Sequence, residues 1–269
     1  MPDDQTPDAP PAQVPEAEIL PGAEPMSVPG GPVGALVVHG FTGTPQSMRG
    51  LAEAFVKAGF TVEMPLLPGH GTSLEHMLTT GWDDWTAAAE AAYVDLAARC
   101  EQVVVAGLSM GGTLTLWLAS RHPEIAGIVL VNPAAPPPGS AAEALEGLQA
   151  LSDAGLLTID AIGSDIALEG VTELAYEQTP VKPLISLFSH AEELAGRLDS
   201  ITCPVLLMNS PEDHVVAPEH SDHVAASVAG PLERVTLERS YHVATLDHDR
   251  ELIEEQAVAF AKRITSGES

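Results

Sequence analysis

Basic residues are scarce. Eleven Lys and Arg stand against 38 Asp and Glu in 269 residues, for a formal net charge of −27. A field of that sign repels phosphate backbones and anionic membrane surfaces, which excludes nucleic acid as a partner. Its ordinary consequence is solubility, including in a saline setting, rather than an acidic docking role. Aromatics make up only 4% of a chain that is 45% hydrophobic, so the core must be built from Val, Leu, Ile and Ala. There are only two cysteines, Cys100 and Cys203, each just before an expected strand. If those strands lie two apart in one sheet, roughly 10 Å separates the thiols, too far for a bridge, so free thiols without a catalytic part are expected. The sequence shows no basic and apolar N-terminal pair typical of a signal peptide, and no apolar run near the roughly 20 residues of a membrane helix. A soluble, cytoplasmic protein is therefore expected, with no integral membrane segment. Internal repeats, glycine-rich phosphate loops and clusters of Cys and His are likewise missing; "HPE" and "PEDH" hold too few ligands for a metal site.

What is present alternates. Residues 1–18, rich in Pro and acids and without a base, read as a disordered tail. From Val33 onward, short β-rich runs ("VGALVVHG", "FTVEMP", "QVVVAG", "GIVLVN", "PVLLMN", "ERVTLE") are separated by amphipathic segments at 46–58, 82–99 and 111–121. Continuous apolar runs suit strands buried on both faces, and the alternation predicts an α/β fold with a mostly parallel sheet flanked by helices. One connection breaks the rhythm. Residues 133–200 hold no comparable strand, and Leu145, Leu148 and Leu151 share one helical face, so a helical cap over the C-terminal edge of the sheet is expected. The core then comprises 19–132 and 201–269, with 133–200 as cap and connecting helix.

Chemistry concentrates at "GLSMG", residues 107–111. A strand ending at Ala106 must reverse into a helix near Gly111, and only small residues two before and two after Ser109 allow so sharp a turn. The turn lifts the serine oxygen above the sheet and aims a helix N-terminus at the same point. A serine hydroxyl needs a base and a group to orient that base. Among ten histidines, His242 stands directly after the last strand in "RSYHV", where a loop can carry it over the serine; His248 is its competitor. Asp213, just past a strand end in "SPEDHVV", is the preferred acid, ahead of neighbouring Glu212 and Asp222, because the apolar "VV" after it would fasten the loop. The end of the preceding strand holds Asn132 rather than an acid. A tetrahedral oxyanion would be met by the amide of Met110 and by that of Phe41 in "HGFTGTPQSM".

With these residues in place, the chain resembles the α/β-hydrolase fold, and more closely the bacterial monoacylglycerol lipase and carboxylesterase family. The likeness rests on "HGFTGTP", "GLSMGG", "IGSDI", "TELAYEQTP", "SPEDHVV" and "SYHVATLD", and spans all but the acidic tail. The resemblance implies a small helical cap inserted after the sixth strand of the family's usual sheet. It also implies a Ser109–His242–Asp213 triad working through an acyl-enzyme, oxyanion donors Phe41 and Met110, a cap carboxylate at Glu173 that reads glycerol hydroxyls, and Ile162 lining the acyl channel. Such chemistry needs no metal or organic cofactor. The implied substrate is a neutral ester or lipid, most specifically monoacylglycerol. A short- to medium-chain carboxylesterase or thioesterase would use the same triad, and a non-catalytic ligand receptor could retain the same pocket. The sequence admits either a monomer or a homodimer.

Overall fold

The computed structural model describes residues 18–161 and 163–266. In chain order the elements are β1 (Met26–Val28), β2 (Val33–Val38), α1 (Arg49–Lys57), β3 (Thr61–Met64), α2 (Leu74–Met77), α3 (Trp82–Ala97), β4 (Gln102–Leu108), α4 (Met110–Arg121) and β5 (Gly127–Val131). They continue with α5 (Ala142–Asp153), β6 (Thr158–Asp160), β7 (Gln178–Pro180), α6 (Val181–Ala195), β8 (Val205–Asn209), α7 (Glu219–Ser227), β9 (Leu232–Thr236) and α8 (Arg250–Thr265).

Seven strands form one sheet in the order β1-β3-β2-β4-β5-β8-β9, parallel throughout except for β1, which pairs antiparallel with β3. The six expected strands are all present. The three-residue edge strand β1 is an addition to them, because its "MSV" is too short to show a period. Alternate side chains of the central strands enter two separate cores. Leu36, Val38, Val105, Leu130 and Leu207 pack with α3, α4 and α6, whereas Ala35, Val37, Val104, Val129 and Leu206 pack with α1 and α8. That double burial is why these strands read as unbroken apolar runs. Helix ends follow local chemistry: Gly59 at φ 92 follows α1, Asp83 and Asp84 occupy the first turn of α3, and Lys262 and Arg263 occupy the last turn of α8.

The excursion between β5 and β8 contains α5 and α6, but also a two-stranded antiparallel ribbon of β6 and β7. The ribbon adds to the helical cap expected there; its strands are three residues long and leave no alternation to read. Of the three leucines on the α5 face, Leu148 is buried while Leu145 and Leu151 are half-buried. Cys100 and Cys203 are free, preceding β4 and β8, which flank β5. The expected tail lies outside the described residues except for Glu18. Among the described residues, no helix is long and apolar enough to cross a membrane.

Candidate active site

The turn from β4 into α4 carries Ser109 at φ 56 and ψ −119, a conformation that non-glycine residues seldom hold. Its neighbours show why the turn tolerates nothing larger. A Cβ on Gly107 would overlap the carbonyl of Gly111, and one on Gly111 would overlap the carbonyl of Val38. The Ser109 amide donates to the Val131 carbonyl at 3.0 Å, and the Ser109 carbonyl accepts from Thr113 and Ala134 at 3.1 and 3.2 Å. The strained residue is thus tied to the next strand, to its own helix and to the start of the excursion.

Asp213 and His242 meet after tertiary folding brings the ends of β8 and β9 together. His242 Nδ1 lies 2.7 Å from Asp213 Oδ2, and the two side chains are 8% and 2% exposed. The other carboxylate oxygen, Oδ1, accepts from the amides of Val215 and Val216 at 2.9 and 2.7 Å. The expected role of "VV" in fastening the loop is therefore carried by backbone amides as well as by burial of Val216. The rivals fall elsewhere: His248 and Glu212 are exposed, and Asp222 pairs with Arg234 at 2.7 Å. Asn132 sits at φ 44, with Oδ1 accepting from the Ser210 amide at 2.8 Å and Nδ2 donating to the His242 carbonyl at 2.8 Å. It links the strand end to both loops.

The loop after β2 lies beside the serine. A Cβ on Gly40 would stand 3.3 Å from the Ser109 Cβ. Phe41 follows it and lines a cavity together with Ser109, while Met110, as the first residue of α4, has an amide with no intrahelical acceptor. Beneath the loop, His39 is fully buried; its Nδ1 donates to the Gly40 carbonyl at 2.9 Å and its Nε2 accepts from the Leu67 amide at 3.1 Å. Burial lowers its pKa to about 4, so it is neutral there and acts as a fixed strut. His70 packs edge-on against it at 4.9 Å.

Glu173 reaches the site from the excursion. Its carboxylate abuts Gly43, where an added Cβ would collide with it. Burial pushes its pKa up, opposed by the imidazole of His242 and the hydroxyl of Ser47. Gln46 holds the segment in place, its Oε1 accepting from the Leu174 amide at 3.0 Å and its Nε2 donating to the Thr172 carbonyl at 3.2 Å. Ser109, His242, Phe41 and Glu173 all line one cavity of about 510 Å³. Leu184, Leu187 and Phe188 of α6, with Val215 and Val216, give part of its wall an apolar surface, while Asp160, Asp165 and Glu177 also line it. Ile162 lies outside the described residues.

Asp165 falls within the "IGSDI" quoted above, but sequence reasoning gave it no role. Its Oδ2 accepts from the amides of His214 and His242 at 3.1 and 3.0 Å. A lone aspartate in an irregular stretch, 77 positions before His242, carries no periodic or spacing signal.

Residues 35–255 match the model of the alpha/beta hydrolase family. The chain is 48% identical over 245 residues to the thermostable monoacylglycerol lipase of Bacillus sp. (strain H-257), covering 90% of this chain and 95% of that one. It is 28% identical over 244 residues to a carboxylesterase of Bacillus subtilis (strain 168), covering 90% and 97%. Among solved structures, one reported for the metagenome-derived lipolytic enzymes LipS and LipT superposes with a TM-score of 0.87 at 44% identity, covering 91% of this chain and all of that one. With the parallel sheet, the strained serine turn and this extent of likeness, the chain belongs to the alpha/beta hydrolase family.

Proposed function

We propose that this enzyme is a serine hydrolase of carboxylic esters that cleaves monoacylglycerol to glycerol and fatty acid. The observation that carries the reading is the 2.7 Å contact between His242 Nδ1 and Asp213, on a cavity shared with the strained Ser109. In the proposed cycle, Ser109 Oγ attacks the ester carbonyl as His242 takes its proton, and Asp213 holds the imidazole and stabilises the imidazolium. The amides of Met110 and Phe41 receive the oxyanion. His242 then protonates the departing alcohol, and water attacks the acyl-enzyme by the same route.

The residue 133–200 segment serves as a cap in this reading. Glu173, desolvated yet close to His242, accepts hydrogen bonds from the glycerol hydroxyls, while Leu184, Leu187 and Phe188 accommodate the acyl chain. A neutral head group suits a protein of charge −27, since the field does not oppose its entry. The two free thiols accord with a reducing compartment such as the cytoplasm.

The test is an ester panel spanning head group and chain length. Ser109→Ala should abolish turnover while leaving the fold intact, and unchanged turnover in that variant refutes the mechanism. Preference for monoacylglycerols over aryl esters and thioesters of equal chain length supports the glycerol reading, and the reverse order makes the enzyme a general carboxylesterase or thioesterase.

A further inference from the structure

The segment from Ser164 to Leu168 is joined to both triad loops by two carboxylates that point in opposite directions along the chain. Asp165, in the excursion, reaches down: Oδ2 accepts from the His214 and His242 amides at 3.1 and 3.0 Å, while Oδ1 pairs with His214 Nδ1 at 2.8 Å. Its own carbonyl accepts from the Val243 amide at 3.0 Å. Asp247, at the far end of the His242 loop and fully buried, reaches up. Its oxygens accept from Ala167 and Leu168 at 2.7 and 2.9 Å, and from Tyr241 and His248 at 2.9 and 2.8 Å. The same short segment also meets Glu173, whose amide donates to Ser164 Oγ at 2.9 Å.

Buried amides demand acceptors, and here the backbone of His242 finds its acceptor outside its own loop. We propose that Asp165 is a positioning residue: through the His214 and His242 amides it makes the placement of the imidazole and of the Asp213 loop conditional on the seating of the inserted segment. The proposal rests on His242 and Asp213 serving the reaction described above. It adds that the insertion does more than bind substrate, because one of its side chains holds the loops that carry the base and its acid. The contact is made through backbone, so what counts at position 165 is an oxygen acceptor of the right reach.

That distinction fixes the experiment. Asp165→Asn can keep an oxygen at the Oδ2 position and so both amide bonds, whereas Asp165→Ala removes the acceptor. Kinetics on a short p-nitrophenyl ester, which needs little of the acyl wall, should show kcat down by about 10- to 100-fold in Asp165→Ala, with KM changed by less than about threefold. Asp165→Asn should stay within about threefold of wild type in both, since what it loses is chiefly the pair with the half-exposed His214. Equal loss in both variants, an unchanged kcat in Asp165→Ala, or a loss confined to KM overturns the proposal. Ser109→Ala in the same assay separates the two layers. If it remains active, the triad reading fails; if it is dead while Asp165→Ala matches wild type, only the positioning role fails. Should Asp165→Ala not fold, residue-resolved hydrogen exchange on the wild-type protein decides. The His242 and Val243 amides must then open together with those of Ala167 and Leu168, and independent exchange of His242 overturns the proposal.

Discussion

Replacing Asp213 by Asn tests the site with a change of one atom. Asp213 Oδ1 is occupied by the amides of Val215 and Val216, at 2.9 and 2.7 Å, and Oδ2 faces His242 Nδ1 at 2.7 Å. An asparagine has one acceptor oxygen to place. Turning its NH2 toward the two valine amides would set donors against donors and leave two amides unpaired, at about 1–3 kcal/mol for each one that is buried. Turning the oxygen toward them keeps both bonds and presents the NH2 to His242. The ring then accepts at Nδ1, so its proton moves to Nε2, and the face that takes a proton from Ser109 in the proposed cycle carries one already. The expected loss is about 10⁴-fold in kcat, or roughly 5 kcal/mol of transition-state stabilisation. Because the loop bonds survive, Asp213→Asn should melt close to wild type, while Asp213→Ala, which strips both amides of their acceptor, should melt lower. Initial rates on a soluble aryl ester, read beside thermal melts of both variants, provide the check. A kcat for Asp213→Asn within about tenfold of wild type, or a larger loss of stability in the Asn than in the Ala variant, refutes the reasoning.

Two further outcomes concern titration. The pKa of Glu173 is raised in the folded protein, chiefly by burial, so the folded state favours the neutral acid and ionisation works against folding as pH rises. Glu173→Gln should therefore stabilise the protein at pH 8 and lose that advantage near pH 4, as thermal melts across pH will show. If the glycerol reading holds, the same variant should raise KM for monoacylglycerol more than for an aryl ester. His39 has the opposite sign: its pKa falls from 6.5 to about 4 on burial, so its contribution is complete above pH 6.5 and is lost as pH drops toward 4. That loss amounts to about 3 kcal/mol, and in denaturant titrations the fall in stability from pH 7 to pH 4 should be smaller by about that amount in His39→Gln, which cannot titrate, than in wild type.

Much of this was legible along the chain because the deciding interactions are local or periodic. The six apolar runs report strands buried on both faces, and the glycines around Ser109 report a turn whose close contacts admit no Cβ. That His242 and Asp213 meet was legible by position, each just past a strand end, since a parallel sheet delivers such residues to one edge. The short strands β1, β6 and β7 were not, because three residues cannot display a period and their pairing is set by the neighbour.

The sequence by itself therefore determined the sheet, its two cores and the candidates for nucleophile, base and acid, through patterns that a few consecutive residues can hold. Only the tertiary structure decided which oxygen of Asp213 faces the imidazole, that His39 is a neutral strut, and that Asp165 accepts the His242 amide. Those are matters of direction and desolvation among groups far apart in the chain. Hydrogen-bond geometry and burial exist only once the chain has closed on itself, so no local pattern encodes them.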